Sequence, residues 1–414
     1  MQRFLSWAEA RSAPVVATMA MLVGGLAYVV AWGKVRHGGI WQTPPDLWGI
    51  ARSSDALVHG NFSGVYFPHA ALTSPPGLEY LLAPVVALGS AFGLHPLQGH
   101  VNGSPYLWAI LGPAAILIGS SALFAVDALA RHFSFSPAKR LVLALAGGLG
   151  VANVVVFWGH PEDCAALALV AWAALAVERD GDTTGNGQRR AGWLFGLAIA
   201  LQPLALLAVA PVFARTTRRE LPRLALRLCV PSVLALVPVL ATAAPHALSV
   251  LIHQPSYPRF VSSTPFSRWA PSLGHGEVAG GPTRLLAVVL GSTIGLVICR
   301  RRHDLATVLA VSALALALRV LFESELAGYY FWPIAALCLL LALRRSWPRF
   351  CLTSAAAITN MVLGNHRVHA IGLWWPAMMV TTAVMLAAAI PTGPGPAIEF
   401  VGMDTPVGMT RKSE

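Results

Sequence analysis

Residues Gly192–Phe213 read GWLFGLAIALQPLALLAVAPVF. Twenty-two residues without a charge are long enough, as an α-helix, to cross the ~30 Å hydrocarbon core of a bilayer. Yet Arg189-Arg190 precede the run and Arg215, Arg218 and Arg219 follow it. Basic residues collect on the cytoplasmic side of a membrane, so both ends are expected on that side. Pro203 lacks the N–H that a helix ladder needs and clashes with the preceding turn. The stretch is therefore expected to be a broken re-entrant hairpin of two half-helices turning near Gln202-Pro203, which lipid tolerates only when other helices cover it.

The rest of the chain has the same character. Of its residues 56% are hydrophobic and 11% charged, whereas a soluble domain carries about a quarter charged residues. The apolar runs are too continuous for the alternating strands of a barrel, which leaves the helix as the spanning unit. The expected fold is all-α, a polytopic membrane protein of about ten transmembrane helices plus the hairpin. Spans are expected over 13–32, 106–129, 141–158, 164–177, 228–244, 285–298, 306–322, 330–343, 352–363 and 373–390. No small-residue cleavage site follows the first run, so it reads as an uncleaved anchor. Residues 78–94 form a shorter apolar run interrupted by Pro84. Counting it as a span would place Arg131, Lys139 and Arg140 outside, so it is expected to lie at the interface. One membrane domain then covers 13–391, between cytoplasmic segments 1–12 and 392–414, with large extracytoplasmic loops at 33–104 and 246–283. The formal net charge of +11 sits in arginine clusters between the runs. It reads as topology and attraction to anionic lipid in a plasma membrane, not as a nucleic-acid surface. The five cysteines lie in or beside apolar runs without a C-x-x-C pair, so neither disulfides nor metal ligands are expected.

Chemistry needs polar groups that meet water, and the longest such place near the start is Pro44–Pro84, PPDLWGIARSSDALVHGNFSGVYFPHAALTSPPGLEYLLAP. Asp46 opens an amphipathic stretch in which Leu47, Ile50, Ala51, Leu57 and Val58 share a face. Asp46 can be a helix cap and Asp55 a partner of Arg52. A carboxylate at the mouth of a helical bundle can also be a general base toward a hydroxyl.

The order Asp46, Gly60, Tyr66, Pro75-Pro76 and then an apolar helix resembles the first external loop of GT-C superfamily glycosyltransferases. It is most similar to the polyprenol-phosphate-mannose-dependent mannosyltransferases of the actinobacterial cell envelope. A second matching stretch runs from Gly159-His160-Pro161-Glu162-Asp163 to Gly192-Trp193-Leu194-Phe195-Gly196-Leu197-Ala198 and Leu201-Gln202-Pro203. The likeness covers the first half of the chain, and the second half by topology alone. Two positions depart from the family pattern: Gln202 replaces the usual lysine, and His160 the usual glutamine. The resemblance implies that Asp46, not Asp55, is the catalytic aspartate. It also implies an inverting transfer of mannose from a polyprenyl-phosphate-linked donor to a cell-envelope glycolipid or glycan on the outer face.

A departing phosphate needs preorganised cationic donors. Arg52, His69, Arg259, Arg268 and Arg319 are the outer-face candidates, and Arg319 also stands four residues before a partner, Glu323. Asp55, Glu79 and Glu162 are further substrate-binding candidates, Glu162 being also placed to cap its helix. Tyr329, with Tyr330 and Trp332, opens a span where an aromatic belt would lie, and Tyr329 is carried as a substrate-binding candidate too. The histidines make no zinc motif, and no cofactor is expected; a divalent metal finds no compact acidic pair to hold it. Two other readings stay open: a transporter or flippase of lipid-linked sugar, which the broken hairpin and Arg319 also suit, and a non-catalytic assembly protein of the same fold.

Overall fold

A computed structural model describes residues 10–37, 44–66, 75–93, 105–180, 185–253, 264–269, 272–274, 277–278, 281–324, 326–366 and 373–390. These are helices joined by short connections, with one antiparallel ribbon of β1 (Ser272–Gly274) and β2 (Glu277–Val278). The helices are α1 (Ser12–His37), α2 (Pro45–Val58), α3 (Gly77–Ala91), α4 (Pro105–His132), α5 (Pro137–Ala152), α6 (Pro161–Asp180) and α7 (Asn186–Leu201). They continue as α8 (Leu206–Val212), α9 (Leu221–His253), α10 (Gly281–Arg301), α11 (Leu305–Leu321), α12 (Trp332–Arg345), α13 (Trp347–His366) and α14 (Trp374–Ala389).

Local chemistry sets several starts. Pro45, Pro137 and Pro161 occupy first-turn positions, where the missing N–H costs nothing. Ser136 caps α5 by accepting from the Lys139 N–H, and Asp304 caps α11 by accepting from the Thr307 N–H at 3.1 Å.

Among the described residues four segments are long and apolar enough to cross a membrane: Leu111–His132, Pro137–Trp158, Leu221–Leu251 and Thr283–Arg301. Burial is distributed unevenly among the helices. Every residue from Trp332 to Leu343 of α12 is buried, so this helix is the axis of the bundle. By contrast α9 exposes Leu226, Val233, Leu234 and Val237, and α10 exposes Leu285, Leu286, Val289 and Val297. Apolar side chains turned outward along a whole helix suit a hydrocarbon surround and not water.

One end of the bundle is basic. Arg140 donates to Asp127 at 2.7 and 2.9 Å and to the Ala10 carbonyl at 2.6 Å, with Arg131 3.4 Å from Asp127. Arg344 lies over the Phe133 ring, and the Arg300 Nε donates to the carbonyl of Ala214. The starts of α1 and α5, the ends of α4, α10 and α12, and the segment after α8 thus share this end.

The expected interfacial segment is the 15-residue helix α3, shorter than a span. The helical run of 192–213 does break at Gln202, whose backbone is extended at φ −150°, ψ 112°. The stretch expected as a second loop from 246 is still helical at its start, because α9 continues to His253 across a kink at Ala243. Its Pro231 and Pro238 do not end it, whereas Pro245 stands two residues after the kink. The cysteines are all free thiols, Cys164, Cys299 and Cys338 buried and Cys229 and Cys351 exposed.

Candidate active site

The end of the bundle opposite the basic one gathers the polar side chains that α2, α3, α6, α10 and α11 deliver. The organising corner is at Gly159. Helix α5 passes into a π-helical turn, Asn153–Trp158, and Gly159 closes it in the left-handed region at φ +82°. A β-carbon there would sit 2.9 Å from the Leu47 nitrogen and 2.9 Å from the Pro44 Cβ. Glycine is therefore needed both for the backbone angle and for the seat of α2. The corner sets His160 beside the first turn of α2.

His160 then lies between two carboxylates. Its Nε2 is 2.8 Å from Asp46 Oδ2, and its Nδ1 is 2.6 Å from Glu162 Oε1. Tyr329 stacks on the imidazole, ring centres 3.9 Å apart and planes 22° apart. Trp158 packs against Tyr329, and Trp158 Nε1 donates to Asn365, which in turn donates to Asn153 within the π-helical turn. Asp46 does not cap its helix: Pro44 is the cap residue and contributes no side-chain hydrogen bond. Burial opposes the charged imidazolium, but the Glu162 carboxylate and the hydrogen bonds to Asp46 and Glu162 outweigh it. They lift His160 well above the ordinary imidazole range.

The next residue along, Asp163, accepts a hydrogen bond from Gln202 Nε2 at 2.5 Å. The residue that departs from the family lysine thus ties the break between α7 and α8 to the start of α6. Gly77, which follows Pro75-Pro76, lies so close to this break that a β-carbon would be 2.3 Å from the Ala200 carbonyl oxygen. Beside it Glu79 is 1% exposed, and neither of its carboxyl oxygens has a hydrogen-bond partner among the described residues. Burial pushes Glu79 up to about 8, against the pull of its own backbone N–H, and Glu162 adds to the rise.

On the other side of Tyr329 is a cationic pair around one acid. Tyr330 meets Tyr329 edge to face, and the Arg319 guanidinium lies 3.8 Å from the Tyr330 ring centre. Arg319 Nε is 3.0 Å from Glu323 Oε2, and Arg284 Nε donates to Glu323 Oε1 at 2.8 Å. Glu323 is fully buried. Arg319 thus pairs with Glu323 four residues on, and Tyr330 and Tyr329 connect that pair to the His160 ring.

Of the other sequence candidates, Tyr329 and Glu162 belong to the same assembly. Tyr329 and Trp332 are buried, so neither forms an interfacial belt. Arg52 is exposed, near the Trp48 ring, and Asp55 faces His59 at 3.6 Å; neither adjoins His160. Tyr66 is buried in a small cluster with Leu57, Val65, Val239 and Ala247, and its carbonyl accepts from His246, which fastens the first loop to α9. His69 and Arg259 lie outside the described residues, as does the side chain of Arg268. Sequence reasoning missed Arg284, which opens a span with no motif around it. His160 stood there only as a departure from the family glutamine, although the G-H-P-E-D run already set it two residues from Glu162. Among the described residues no group of three or more His, Cys, Asp or Glu side chains is arranged to hold a metal ion.

No family model, curated protein or solved structure matches this chain.

Proposed function

We propose that the chain is a GT-C-like membrane glycosyltransferase that moves a sugar, mannose by the resemblance, from polyprenyl phosphate to a cell-envelope glycolipid or glycan. In this reading about ten helices span the plasma membrane, and the chain turns back at Gln202 as a re-entrant hairpin. The basic end is cytoplasmic by the distribution of arginines, with both termini there. The mouth at Asp46 is then extracytoplasmic, where two lipid-borne substrates can arrive laterally.

The observation that carries the reading is the meeting of the two stretches that bear the resemblance. Asp46 and His160, 114 residues apart, share a hydrogen bond, and Gly77 packs on the Ala200–Leu201 end of α7. The chemistry follows from this arrangement. Asp46 takes the proton of the acceptor hydroxyl as that oxygen attacks the anomeric carbon. The bond from that carbon to the phosphate oxygen breaks with inversion, and polyprenyl phosphate departs. Arg319 and Arg284 together outweigh Glu323 by one positive charge, which meets the charge developing on the phosphate.

The test gives purified wild type, Asp46→Asn and Asp55→Asn labelled polyprenyl-phosphate mannose with an envelope glycolipid extract. Transfer by wild type and Asp55→Asn, abolished in a folded Asp46→Asn, is the expected result. Loss in Asp55→Asn alone would shift the base to the wrong turn of α2 and sink the assignment. Buried Glu79 and the break at Gln202 favour the transporter as second reading. It wins if wild type transfers no label yet carries the lipid-linked sugar across vesicles.

A further inference from the structure

The transfer as written leaves His160 without a task, although it touches the base. Its two neighbours come from different elements, Asp46 from α2 and Glu162 from α6, and Tyr329 holds the ring plane. An ionised carboxylate can only accept a hydrogen bond, and a neutral imidazole has a single N–H to give. A neutral ring would set its bare nitrogen against a carboxylate oxygen at under 3 Å. The doubly protonated ring satisfies both sides. The raised affinity of His160 for its second proton agrees with that geometry.

We infer that His160 is a positioning residue that acts through Asp46, its imidazolium, secured by Glu162, aiming the Asp46 carboxylate and keeping it ionised for the acceptor hydroxyl. This rests on the reading of Asp46 as the base. The charges balance with the step. Before transfer the trio Asp46, His160 and Glu162 carries one net negative charge. When the acceptor proton arrives on Asp46, the remaining imidazolium–carboxylate pair is neutral, so the buried site loses charge as the reaction proceeds. The proton leaves Asp46 for water after the product departs. Other groups facing the trio are Tyr329 ahead of α12, Asp163 on α6 and Glu79 on α3, with Tyr330 and then Arg319 on α11 behind Tyr329. Arg284 and Glu323 stand behind Arg319. Of these Tyr329 alone contacts the imidazole face.

The experiment compares the pH profile of kcat/KM for mannose transfer in full-length wild type, Asp46→Asn, His160→Gln and Glu162→Gln. Glutamine at 160 still donates a hydrogen bond but carries no charge. Its acid limb is expected to move up by about 1–3 pH units, as removing a close opposite charge does to a carboxylate, with the rate recovering at higher pH. Glu162→Gln is expected to lose rate at alkaline pH where wild type holds it, because His160 then gives up its second proton earlier. Profiles of both variants that superimpose on wild type, or fall equally at every pH, overturn the inference. They leave the base assignment standing if Asp46→Asn is inactive, whereas an active Asp46→Asn removes that assignment itself. A measurement independent of turnover uses protein labelled with nitrogen-15 in its histidine rings, wild type against His160→Gln. An imidazolium signal from His160 that persists at pH 8 is expected, and a neutral ring at pH 6 refutes it.

Discussion

Replacing Gly159 with alanine tests the corner on which the mouth depends. Two penalties add. The left-handed backbone at φ +82° costs an L-residue with a β-carbon about 1–2 kcal/mol. The new methyl would also lie 2.9 Å from the Leu47 nitrogen and the Pro44 Cβ, and 3.0 Å from the Leu47 Cβ. These are a backbone nitrogen, a ring carbon and a β-carbon at a helix start, not flexible tips, so the start of α2 must move, at about 1–3 kcal/mol for overpacking. Gly60 is the internal control. It has φ +68° and no described atom within 4 Å of where a β-carbon would stand, so Gly60→Ala carries the first penalty, about 1–2 kcal/mol, without the second. Gly159→Ala is therefore expected to exceed Gly60→Ala by about 1–3 kcal/mol in denaturant unfolding followed in detergent. It also acts on the site, because Asp46 precedes Leu47 and His160 follows Gly159. A shift of 1 Å between reacting groups costs about a hundredfold in rate, so transfer is expected to fall by that order in Gly159→Ala and to change little in Gly60→Ala. Equal stability and equal activity in the two variants would refute the seat of α2 on the Gly159 corner.

Two further outcomes follow from buried charge. Arg319→Ala leaves the fully buried Glu323 with Arg284 as its neighbouring cation and the Ser324 N–H as a further donor, and the expected loss is near the low end of the ~3–5 kcal/mol typical of breaking a buried pair. Arg319→Lys recovers part of it, since an ammonium reaches the acid but lacks the guanidinium plane that covers Tyr330; unchanged unfolding in Arg319→Ala would discount the cluster. Glu79, pushed from 4.5 to about 8, holds its proton in the fold where the unfolded chain releases it. Its contribution to stability is therefore complete below pH 4.5 and declines as pH rises to about 8. Melting curves across that window are expected to flatten in Glu79→Gln, and parallel curves for the two proteins would show that Glu79 is ionised in its site.

Much of the architecture was legible because apolar run length and helix length are the same quantity in different units. The run at 106–129 became α4, and 306–322 became α11. Pro203 correctly marked a break, but Pro231, Pro238 and Pro245 stand inside α9. A missing N–H weakens one rung of a helix wherever it falls; whether the chain turns depends on what neighbours replace that rung. At Gln202 the side chain is drawn to Asp163, a contact between two helices that no single-helix pattern contains.

The site divides in the same way. Asp46, Glu162, Arg319 and Tyr329 could be named from local pattern and resemblance, since each opens or closes an apolar run. Arg52 and Asp55 were carried as substrate-binding candidates on the same helix, and it is the packing of α2 against Gly159 that sets Asp46, and not these two, beside His160. Arg284 became a site neighbour only when α10 packed beside α11.

By itself the sequence determined that this chain is helical and strongly apolar, where α7 must stop, and that polar residues stand at the ends of the apolar runs. Tertiary structure alone decided which of those polar groups meet: Asp46 with His160, Asp163 with Gln202, Glu323 with two arginines. The reason is energetic. A charge buried alone among apolar side chains is too costly to keep, so its partner must come from another helix. Rotation and register between helices are set by close packing, as of Gly77 on Ala200 and Gly159 on Leu47, and not by the period of either helix.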